Sequence, residues 1–318
     1  MTSLEGVPLS VLDLVPVTTG AGAAHALRQT VDLAQHAERL GFHRYWIAEH
    51  HNLRTSAAAA TPVVIGQVAG ATSRIRVGSG GMMLPIHPPL LVAEAFGTLE
   101  AFHPGRIDLG VTRAAGLNQR TTAALRGPGG RPPPEEFLRQ VQELIGFFDQ
   151  PPDPADGAGG SERRVGDRDG PVRAIPAEGN RPPVWLLGST PVSAQVAGAL
   201  GLPYSFAQHQ RPTLTESALE AYRTSFRPSL HLRRPRVMLG VSVIAAETDG
   251  QAVELAQWSR RMSDGRFVGS VNTVRERLRL LLEHTGAEEL LVTTRVPTHA
   301  DRLRSFALVA EAARADAR

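Results

Sequence analysis

Two adjacent histidines are the first residues that could do chemistry, and they follow an apolar run in the segment "WIAEHHN" at residues 46–52. Consecutive residues of a strand point to opposite faces, so His50 and His51 do not aim at one point. A metal site built on a strand favours ligands two apart in sequence, and one built on a helix favours ligands four apart. We therefore expect no metal here. A catalytic acid or base and the polar end of a buried strand stay open as interpretations.

A second group of polar residues follows an apolar run in the segment "WLLGSTPVSA". Gly188 permits a tight turn. Ser189, Thr190 and Ser193 surround the start of a predicted helix, whose unpaired N–H groups suit an anion such as phosphate. The competing interpretation is ordinary N-capping by Ser189 or Thr190, with a proline in the first turn. Arg113 ends the preceding strand and shifts the balance slightly towards phosphate, because a guanidinium suits this ligand; a surface salt bridge is its alternative role.

Two glycines, Gly80 and Gly81, end a third apolar run in "VGSGGMMLP". Glycine adopts backbone conformations that other residues avoid, so a flat ring could approach the main chain closely here, whereas a plain turn is the alternative. His87 and His103 lie beside prolines, and we expect both to be solvated.

The elements that must position these residues alternate between short apolar runs and segments of helical period, which predicts parallel βαβ units. Strands are predicted at residues 9–14, 44–49, 76–80, 107–112, 184–187, 204–207, 237–245 and 290–293. Helices are predicted at residues 27–40, 61–71, 91–102, 135–148, 192–200, 251–261, 274–281 and 302–313. Eight such strands predict an α/β protein with a single (β/α)8 TIM barrel over residues 1–318, in which the chemistry lies where strands end. A doubly wound open sheet is the alternative, because counting strands does not show closure.

The connection between the fourth and fifth predicted strands is an insertion. It is rich in proline, glycine and charged residues at about 116–134 and 150–180. Such segments cannot bury enough apolar surface to become ordered, so we expect them to be mobile. They would form either an active-site lid or plain loops.

Composition excludes several classes of function. The chain has no cysteine, which excludes thiol nucleophiles and iron–sulfur clusters and fits a cytoplasmic protein. All 34 basic residues are arginine, which excludes lysine Schiff-base chemistry and a Walker-type phosphate loop. The net charge is only +3 and the arginines are scattered, so we expect no nucleic-acid partner. No apolar run approaches the roughly 18 residues of a membrane span, and the N-terminus lacks the pattern of a secretion signal.

Five segments of the chain resemble the bacterial luciferase-like flavin-dependent monooxygenases. They are "AERLGFHRYWIAEHHN", "SRIRVGSGGMMLP", "LEAFHPGRIDLGVTRAAG", "PVWLLGSTPVSAQVAGALGLPYSFA" and "ADRLRSFALVAE", and they stand in the family's order over nearly the whole chain. The resemblance implies a (β/α)8 barrel that uses reduced FMN, supplied by a separate flavin reductase, and molecular oxygen. It also implies a homodimer, which we expect to form through the helices at 61–71 and 91–102, since these are apolar on more than one face.

The resemblance also assigns roles to single residues. His50 matches the family's histidine beside the reactive part of the flavin and is the expected catalytic acid or base. Gly80 and Gly81 match a site where the family often has a non-prolyl cis peptide under the flavin ring. The remaining expected cofactor contacts, most of them around the flavin phosphate, are Thr112, Arg113, Gly188, Ser189, Thr190 and Ser193. Thr112 stands where luciferase has a cysteine, so no thiol acts there.

The function expected from the sequence is therefore oxidation of a small organic substrate by reduced FMN and oxygen, as in natural-product metabolism. Two alternatives stay open: a hydride-transfer oxidoreductase that uses the deazaflavin F420 on the same barrel, and a flavin-binding accessory protein without turnover. The sequence leaves open the substrate, the type of oxygenation and the identity of the reductase.

Overall fold

A closed barrel of parallel strands forms the centre of the molecule. The computed structural model describes residues 4, 6–18, 20–113, 118–126, 134–150, 172–258 and 266–314. The strands in these ranges are β1 (Leu9–Asp13), β2 (Arg44–Ile47), β3 (Arg76–Ser79), β4 (Met82–Met83), β5 (Ile107–Thr112), β6 (Val184–Gly188), β7 (Tyr204–Phe206), β8 (Val237–Ala245), β9 (Arg266–Gly269) and β10 (Glu289–Thr293). Hydrogen bonding follows the order β10-β1-β2-β3-β5-β6-β7-β8, and β8 also pairs with β10, which closes a ring of eight strands. β4 pairs with β5 just beyond β3, and β9 pairs with β8 outside the ring.

Helices surround this barrel. Within the described ranges they are α1 (Ala23–Leu40), α2 (Thr61–Gly70), α3 (Pro89–Phe102), α4 (Gln119–Arg126), α5 (Pro134–Asp149), α6 (Pro191–Ala199), α7 (Thr215–Ser225), α8 (Asp249–Trp258), α9 (Val271–Thr285) and α10 (His299–Arg314). The end of α1 shows how the sequence sets such a boundary. Gly41 takes φ = 86°, a left-handed conformation that glycine adopts without a steric penalty and that ends a helix.

Alternation along each strand separates the barrel interior from the layer under the helices. The interior cluster contains Leu12, Trp46, Ala48, Trp185, Met238 and Leu291. The rings of Trp46 and Trp185 meet edge-on inside it, with centroids 5.6 Å apart. The strand neighbours Val11 and Tyr45 point the other way and belong to the large outer core. The mouth above the interior cluster is thus lined by side chains that lie on the same strand faces as this cluster.

A network of buried charges occupies the opposite, N-terminal half of the barrel interior. Arg44 donates to Asp108 at 2.6 Å and to Glu289 at 2.8 Å, and Arg76 donates to Asp108 at 2.7 Å. Burial alone would raise the pKa of Asp108, but the two guanidinium groups lower it. The Arg44 guanidinium also lies 5.2 Å from the centroid of the Trp185 ring. A buried charge is tolerated when it is paired in this way, so the network has a structural role at the N-terminal end of the barrel.

The predicted (β/α)8 barrel is confirmed, and the pairing of β8 with β10 rules out an open doubly wound sheet. Predicted element boundaries differ from the observed ones by a few residues; β2 ends at Ile47, for example, two residues before the prediction. The sequence did not predict β4, β9, α4 or α7. β4 has only 2 residues, too few for a pattern to be recognised.

The insertion between the fourth and fifth predicted strands contains α4 and α5. Most of its two segments predicted to be mobile lies outside the described residues. Residues 172–180, which the sequence assigns to the second segment, pack against α3: Ala177 is fully buried, and its main chain lies where a Cβ on Gly97 would be. A single domain over residues 1–318 stays a prediction.

The helix faces expected to bind a second copy carry exposed apolar side chains. Val63 on α2 is 73% exposed, and Leu91 and Phe102 on α3 are 58% and 75% exposed. The homodimer stays a prediction.

Among the helices of the described ranges, none combines the length and the apolar character that a membrane span requires.

Candidate functional site

The residues singled out in the sequence lie at one end of the barrel, where the C-terminal ends of the parallel strands meet. His50 follows β2, and Gly80 and Gly81 join β3 to β4. Thr112 ends β5 and Arg113 follows it, and Gly188 to Ser193 lead from β6 into α6. In the closed order β5 and β6 are neighbours, and β10 and β1 lie across the barrel from them. The mouth therefore has a β5–β6 rim and a β1–β10 rim, and these names are used below.

Arg113 and Gly188 are neighbours on the β5–β6 rim. Thr112 is paired with Leu187 in the strand register, and the next residues along the chain are Arg113 and Gly188, respectively. The side chain of Arg113 is half-buried, and no described residue gives its guanidinium a hydrogen bond or an ion pair. The expected alternative, a surface salt bridge, is therefore not formed within the described residues, none of which competes with a ligand for this cation.

The N-terminus of α6 forms the other half of this rim. Thr190 is the N-cap: the Ser193 N–H donates to Thr190 Oγ1, and the Thr190 N–H donates to Ser193 Oγ, each over 3.4 Å. The capping interpretation is thus confirmed for Thr190. Both bonds are longer than the usual range for N–H···O, so they leave the helix N-terminus incompletely satisfied. Because the dipole of this end is positive, an anion remains a good ligand for it.

Gly188 is required at its position by the packing of Ser193. A Cβ on Gly188 would collide with the Ser193 side chain and would lie 3.0 Å from the Tyr204 hydroxyl oxygen. That oxygen is also 3.0 Å from Ser193 Oγ. Burial raises the pKa of Tyr204, so its hydroxyl stays protonated and can donate. Gly188 therefore allows two hydroxyl groups to stand directly against the end of β6.

The floor of the mouth is made of main chain at Gly80 and Gly81. The peptide bond between them is cis, as predicted. A Cβ on Gly80 would lie 2.6 Å from the Leu12 side chain, and one on Gly81 would lie 2.8 Å from the carbonyl oxygen of Gly110. Side chains at these positions would therefore clash with the barrel wall, and the surface offered to a ligand consists of flat peptide groups.

His50 stands on the interior face of the mouth, in line with Trp46 and Ala48 of the interior cluster. It is half-buried, its Nδ1 lies 3.5 Å from Ser56 Oγ, and it lines a cavity of about 550 Å³ on the β1–β10 rim. Burial lowers the pKa of His50, and the positive charge of Arg295 lowers it further. The imidazole is therefore neutral at pH 7, where it can accept a proton and can donate a hydrogen bond from its N–H.

Glu49 and His51 point to the opposite face and form a hydrogen-bonded cluster with His87, in which Glu49 is buried and the two imidazoles are partly exposed. The Nε2 atoms of His51 and His87 lie 2.8 Å and 2.6 Å from Glu49 Oε1, and the Met83 N–H donates to Glu49 Oε2. The expectation of a solvated His87 is wrong, because this partner is invisible in the local sequence. Burial alone would raise the pKa of Glu49, but the bonds from the two histidines and from Met83 lower it to about 2.

This cluster has the composition of a metal site, since donor atoms of Glu49, His51 and His87 all lie within 4.8 Å of one another. Both imidazoles, however, are hydrogen-bonded to the same carboxylate oxygen. A metal ion would have to replace both bonds. The geometry favours a clamp that ties the end of β2 to the segment just after the cis peptide.

The structure thus brings all nine predicted site residues to one barrel mouth, and it adds residues that the sequence reasoning missed. Glu49 and His87 are joined across 38 positions. His209 follows β7, and its Nδ1 lies 2.8 Å from the carbonyl oxygen of Gly240 on β8. Arg295 follows β10. A search of the first few residues after every predicted strand would have found His209 and Arg295.

Comparison with known proteins adds a family to this geometry. The family model described as luciferase-like monooxygenase matches residues 7–315. A Bacillus subtilis (strain 168) protein, YvbT, is 42% identical over 95% of this chain and 96% of its own length. A luciferase-like monooxygenase of Escherichia coli (strain K12) is 39% identical over the same shares of the two chains. The crystal structure of apo-MsnO8 has a TM-score of 0.84 and 35% identity, covering 96% of this chain and 98% of its own.

More distant matches carry printed functions. An N-acetyl-S-alkylcysteine monooxygenase of Bacillus subtilis (strain 168) is 39% identical over 63% of this chain and 57% of its own length. The oxygenating constituent of 3,6-diketocamphane monooxygenase from Pseudomonas putida, solved with FMN, has a TM-score of 0.69 at 18% identity, covering 97% of this chain and 98% of its own. An F420-dependent secondary alcohol dehydrogenase also has a TM-score of 0.69, at 15% identity, covering 97% of this chain and 99% of its own. These last two likenesses show the fold alone.

Proposed function

This chain belongs to the luciferase-like monooxygenase family, and we propose that it is an FMN-dependent monooxygenase acting on a small organic substrate. Reduced FMN bound at the mouth would supply two electrons to molecular oxygen, of which one atom enters the substrate and the other leaves as water. The residues of the mouth would bind the flavin, exclude water and manage protons.

The observation that carries this proposal is the fit of the mouth to a phosphorylated planar ring. On one side, the half-buried Arg113 stands beside the polar N-terminus of α6. On the floor, the cis peptide of Gly80 and Gly81 offers flat main chain without side chains. A guanidinium with helix N–H groups suits a phosphate, and a bare peptide surface suits the face of an aromatic ring. Thr112, Ser189, Thr190 and Ser193 would complete the contacts to the flavin and its phosphate.

His50 is the residue that we propose for proton transfer. Its lowered pKa keeps it neutral near pH 7, so it can accept a proton as a base and, once protonated, return that proton as an acid. Ser56 Oγ lies near Nδ1, which leaves Nε2 as the atom that exchanges a proton with the reacting groups. The half-buried position of His50 limits the access of bulk water to this exchange.

Several properties expected from the sequence stay proposals at this level. A separate flavin reductase would supply reduced FMN, as the resemblance to the family implies. A homodimer through α2 and α3 and a cytoplasmic location also stay predictions. The monooxygenase relative that acts on N-acetyl-S-alkylcysteines supports oxygenation, rather than hydride transfer, as the reaction class.

The test is an anaerobic titration of the protein with reduced FMN and, separately, with reduced F420, followed by mixing each complex with oxygen. We expect FMN to bind at least about tenfold more tightly than F420, a difference of about 1.4 kcal/mol. We also expect the protein to change the rate at which reduced FMN is oxidised by oxygen. Tighter binding of F420, with F420 reduction by an alcohol or another hydride donor, would replace this proposal with the hydride-transfer alternative. FMN binding with an unchanged oxidation rate would favour the accessory protein.

A further inference from the structure

His209 lies inside the barrel mouth, and the proposed function does not use it. It follows β7, and its backbone N–H and its Nδ1 atom lie 2.9 Å and 2.8 Å from the carbonyl oxygen of Gly240 on β8. A Cβ on Gly240 would lie 3.1 Å from the Nδ1 and Cε1 atoms of the ring. Gly240 is two residues beyond Met238 of the interior cluster, so this Cβ would point into the barrel. The imidazole therefore lies against the inward side of β8, where Gly240 makes room for it.

The bond to Gly240 fixes the tautomer of His209. A carbonyl oxygen only accepts, so Nδ1 carries the proton and Nε2 carries the lone pair. Burial lowers the pKa of His209; the bond to Gly240 opposes this effect, and the positive charge of Arg295 adds to it. The ring is therefore neutral at pH 7 and above. No described residue donates a hydrogen bond to Nε2, which leaves this lone pair to a ligand.

His209 faces the glycine floor of the mouth from across the barrel. In the closed ring β8 lies four strands from β3 in either direction, so Gly240 stands opposite Gly80 and Gly81. A flat ring that rests with one face on the cis peptide would turn its other face towards His209. The space between that face and the wall formed by β7 and β8 is then the place for a substrate.

The wall around His209 carries no charge on its strands. By strand alternation, the inward-facing residues of β7 and β8 are Ser205, Met238, Gly240, Ser242 and Ile244. A lone pair in such a wall selects a hydrogen-bond donor. An ammonium donor would meet the same burial and the same positive charge that lower the pKa of His209, and a carboxylate has no proton to donate. The wall therefore favours an uncharged donor, of which a hydroxyl is the smallest.

We propose that Nε2 of His209 accepts a hydrogen bond from the substrate, and that the substrate is an uncharged molecule with a hydroxyl group. This bond would hold the substrate between the flavin and the wall of β7 and β8. His50 follows β2, which lies four strands from β7 in the ring, so His50 and His209 flank this space from opposite sides. The inference rests on the proposed function in assigning the flavin to the opposite side of the mouth.

The test uses pairs of isomers of which one has an O–H group and the other an ether. The pairs are 4-butylphenol with 4-propylanisole, and octan-1-ol with 1-methoxyheptane. Each probe is titrated calorimetrically at about pH 8, where His209 and the phenol are uncharged, into the protein alone and into the protein saturated with oxidised FMN. For at least one pair, we expect the hydroxyl isomer to bind about fivefold or more tightly than the ether, the scale of one hydrogen bond to a buried acceptor.

His209→Asn and His209→Gln separate the roles of the two ring nitrogens. Asparagine can still donate to Gly240 from the position of Nδ1 but offers no acceptor at Nε2, so H209N should reduce the preference to about twofold or less. Glutamine places an amide near the position of Nε2, so H209Q should retain part of the preference. His284→Asn is the control, because His284 is an exposed histidine of α9 paired with Glu216, and its loss should leave the preference unchanged.

Four results would overturn the inference: neither hydroxyl isomer binds, the isomers of both pairs bind equally, the preference survives in H209N, or H209N and H209Q lose it equally. The inference also fails if H209N weakens FMN binding as strongly as Arg113→Ala, because Nε2 would then face the flavin. A preference for hydroxyl isomers without FMN binding would refute the proposed function alone. FMN binding without this preference would refute the inference alone.

Discussion

Replacing Arg113 by alanine should weaken FMN binding by about 1.5–3 kcal/mol, the range for a lost charge-assisted hydrogen bond. At about 1.4 kcal/mol per tenfold change, this corresponds to an increase in the FMN dissociation constant of about 10- to 150-fold. The structure also predicts that the fold is unaffected. No described residue pairs with the Arg113 guanidinium, so its removal leaves no described carboxylate uncompensated, and the free energy of unfolding should change by no more than about 0.5 kcal/mol.

The assay is a fluorescence titration of FMN and riboflavin against the parent and R113A, with melting temperatures measured in parallel. Riboflavin lacks the phosphate, so its affinity should be the same for both proteins. R211A serves as a control, because Arg211 is an exposed arginine after β7 at the same end of the barrel, and it should leave both affinities unchanged.

Two results would refute this reasoning. If riboflavin affinity falls as much as FMN affinity in R113A, Arg113 supports the shape of the mouth and contributes nothing specific to the phosphate. If FMN affinity is unchanged, the phosphate lies elsewhere and the N-terminus of α6 is only a capped helix.

The remaining predictions concern the two faces of the "EHHN" segment and the surface of α3. His50→Ala should keep the fold and nearly all FMN affinity but lower product formation about 100-fold or more. His51→Ala should mainly lower the melting temperature, because it removes a hydrogen bond to Glu49. The opposite result in coupled turnover and melting assays would mean that the two faces of the strand are exchanged. Glu49 has a pKa of about 2 in the folded protein against an ordinary 4.5, so it stabilises the fold above pH 4.5 by roughly 3 kcal/mol, and this contribution is lost as the pH falls towards 2. Urea unfolding should therefore show the parent's advantage over Glu49→Gln shrinking by about 2 kcal/mol between pH 6 and pH 3, and a constant difference would contradict the clamp. Phe102→Glu should convert a dimer to a monomer in analytical ultracentrifugation at micromolar concentration, and a parent that is already monomeric would rule out the homodimer.

The sequence by itself determined the fold class and one side of the site. Short apolar runs and segments of helical period are local properties, and their alternation indicated the barrel before any pairing was known. The alternation of side chains along a strand placed His50 on the face of Trp46 and Ala48, because successive strand residues alternate by geometry alone. The pair Gly80 and Gly81 was recognisable because only glycine tolerates the close main-chain contacts found there.

Closure of the barrel was decided only by tertiary structure. It depends on the pairing of β8 with β10, and the sequence of a strand does not by itself specify which strand it pairs with. Arg113 and Gly188 lie side by side because β5 pairs with β6. The paired residues Thr112 and Leu187 are 75 positions apart in the sequence.

The polar partners of the mouth were also decided only by tertiary structure. His87 looked like a solvated loop residue because its partner, Glu49, is 38 positions away. Arg295 looked like one arginine among 34 until the segment after β10 placed it at the cavity that His50 also lines. Hydrogen bonds and charges act over a few ångströms in space. The local sequence pattern does not show which distant residues the fold brings within that range of one another.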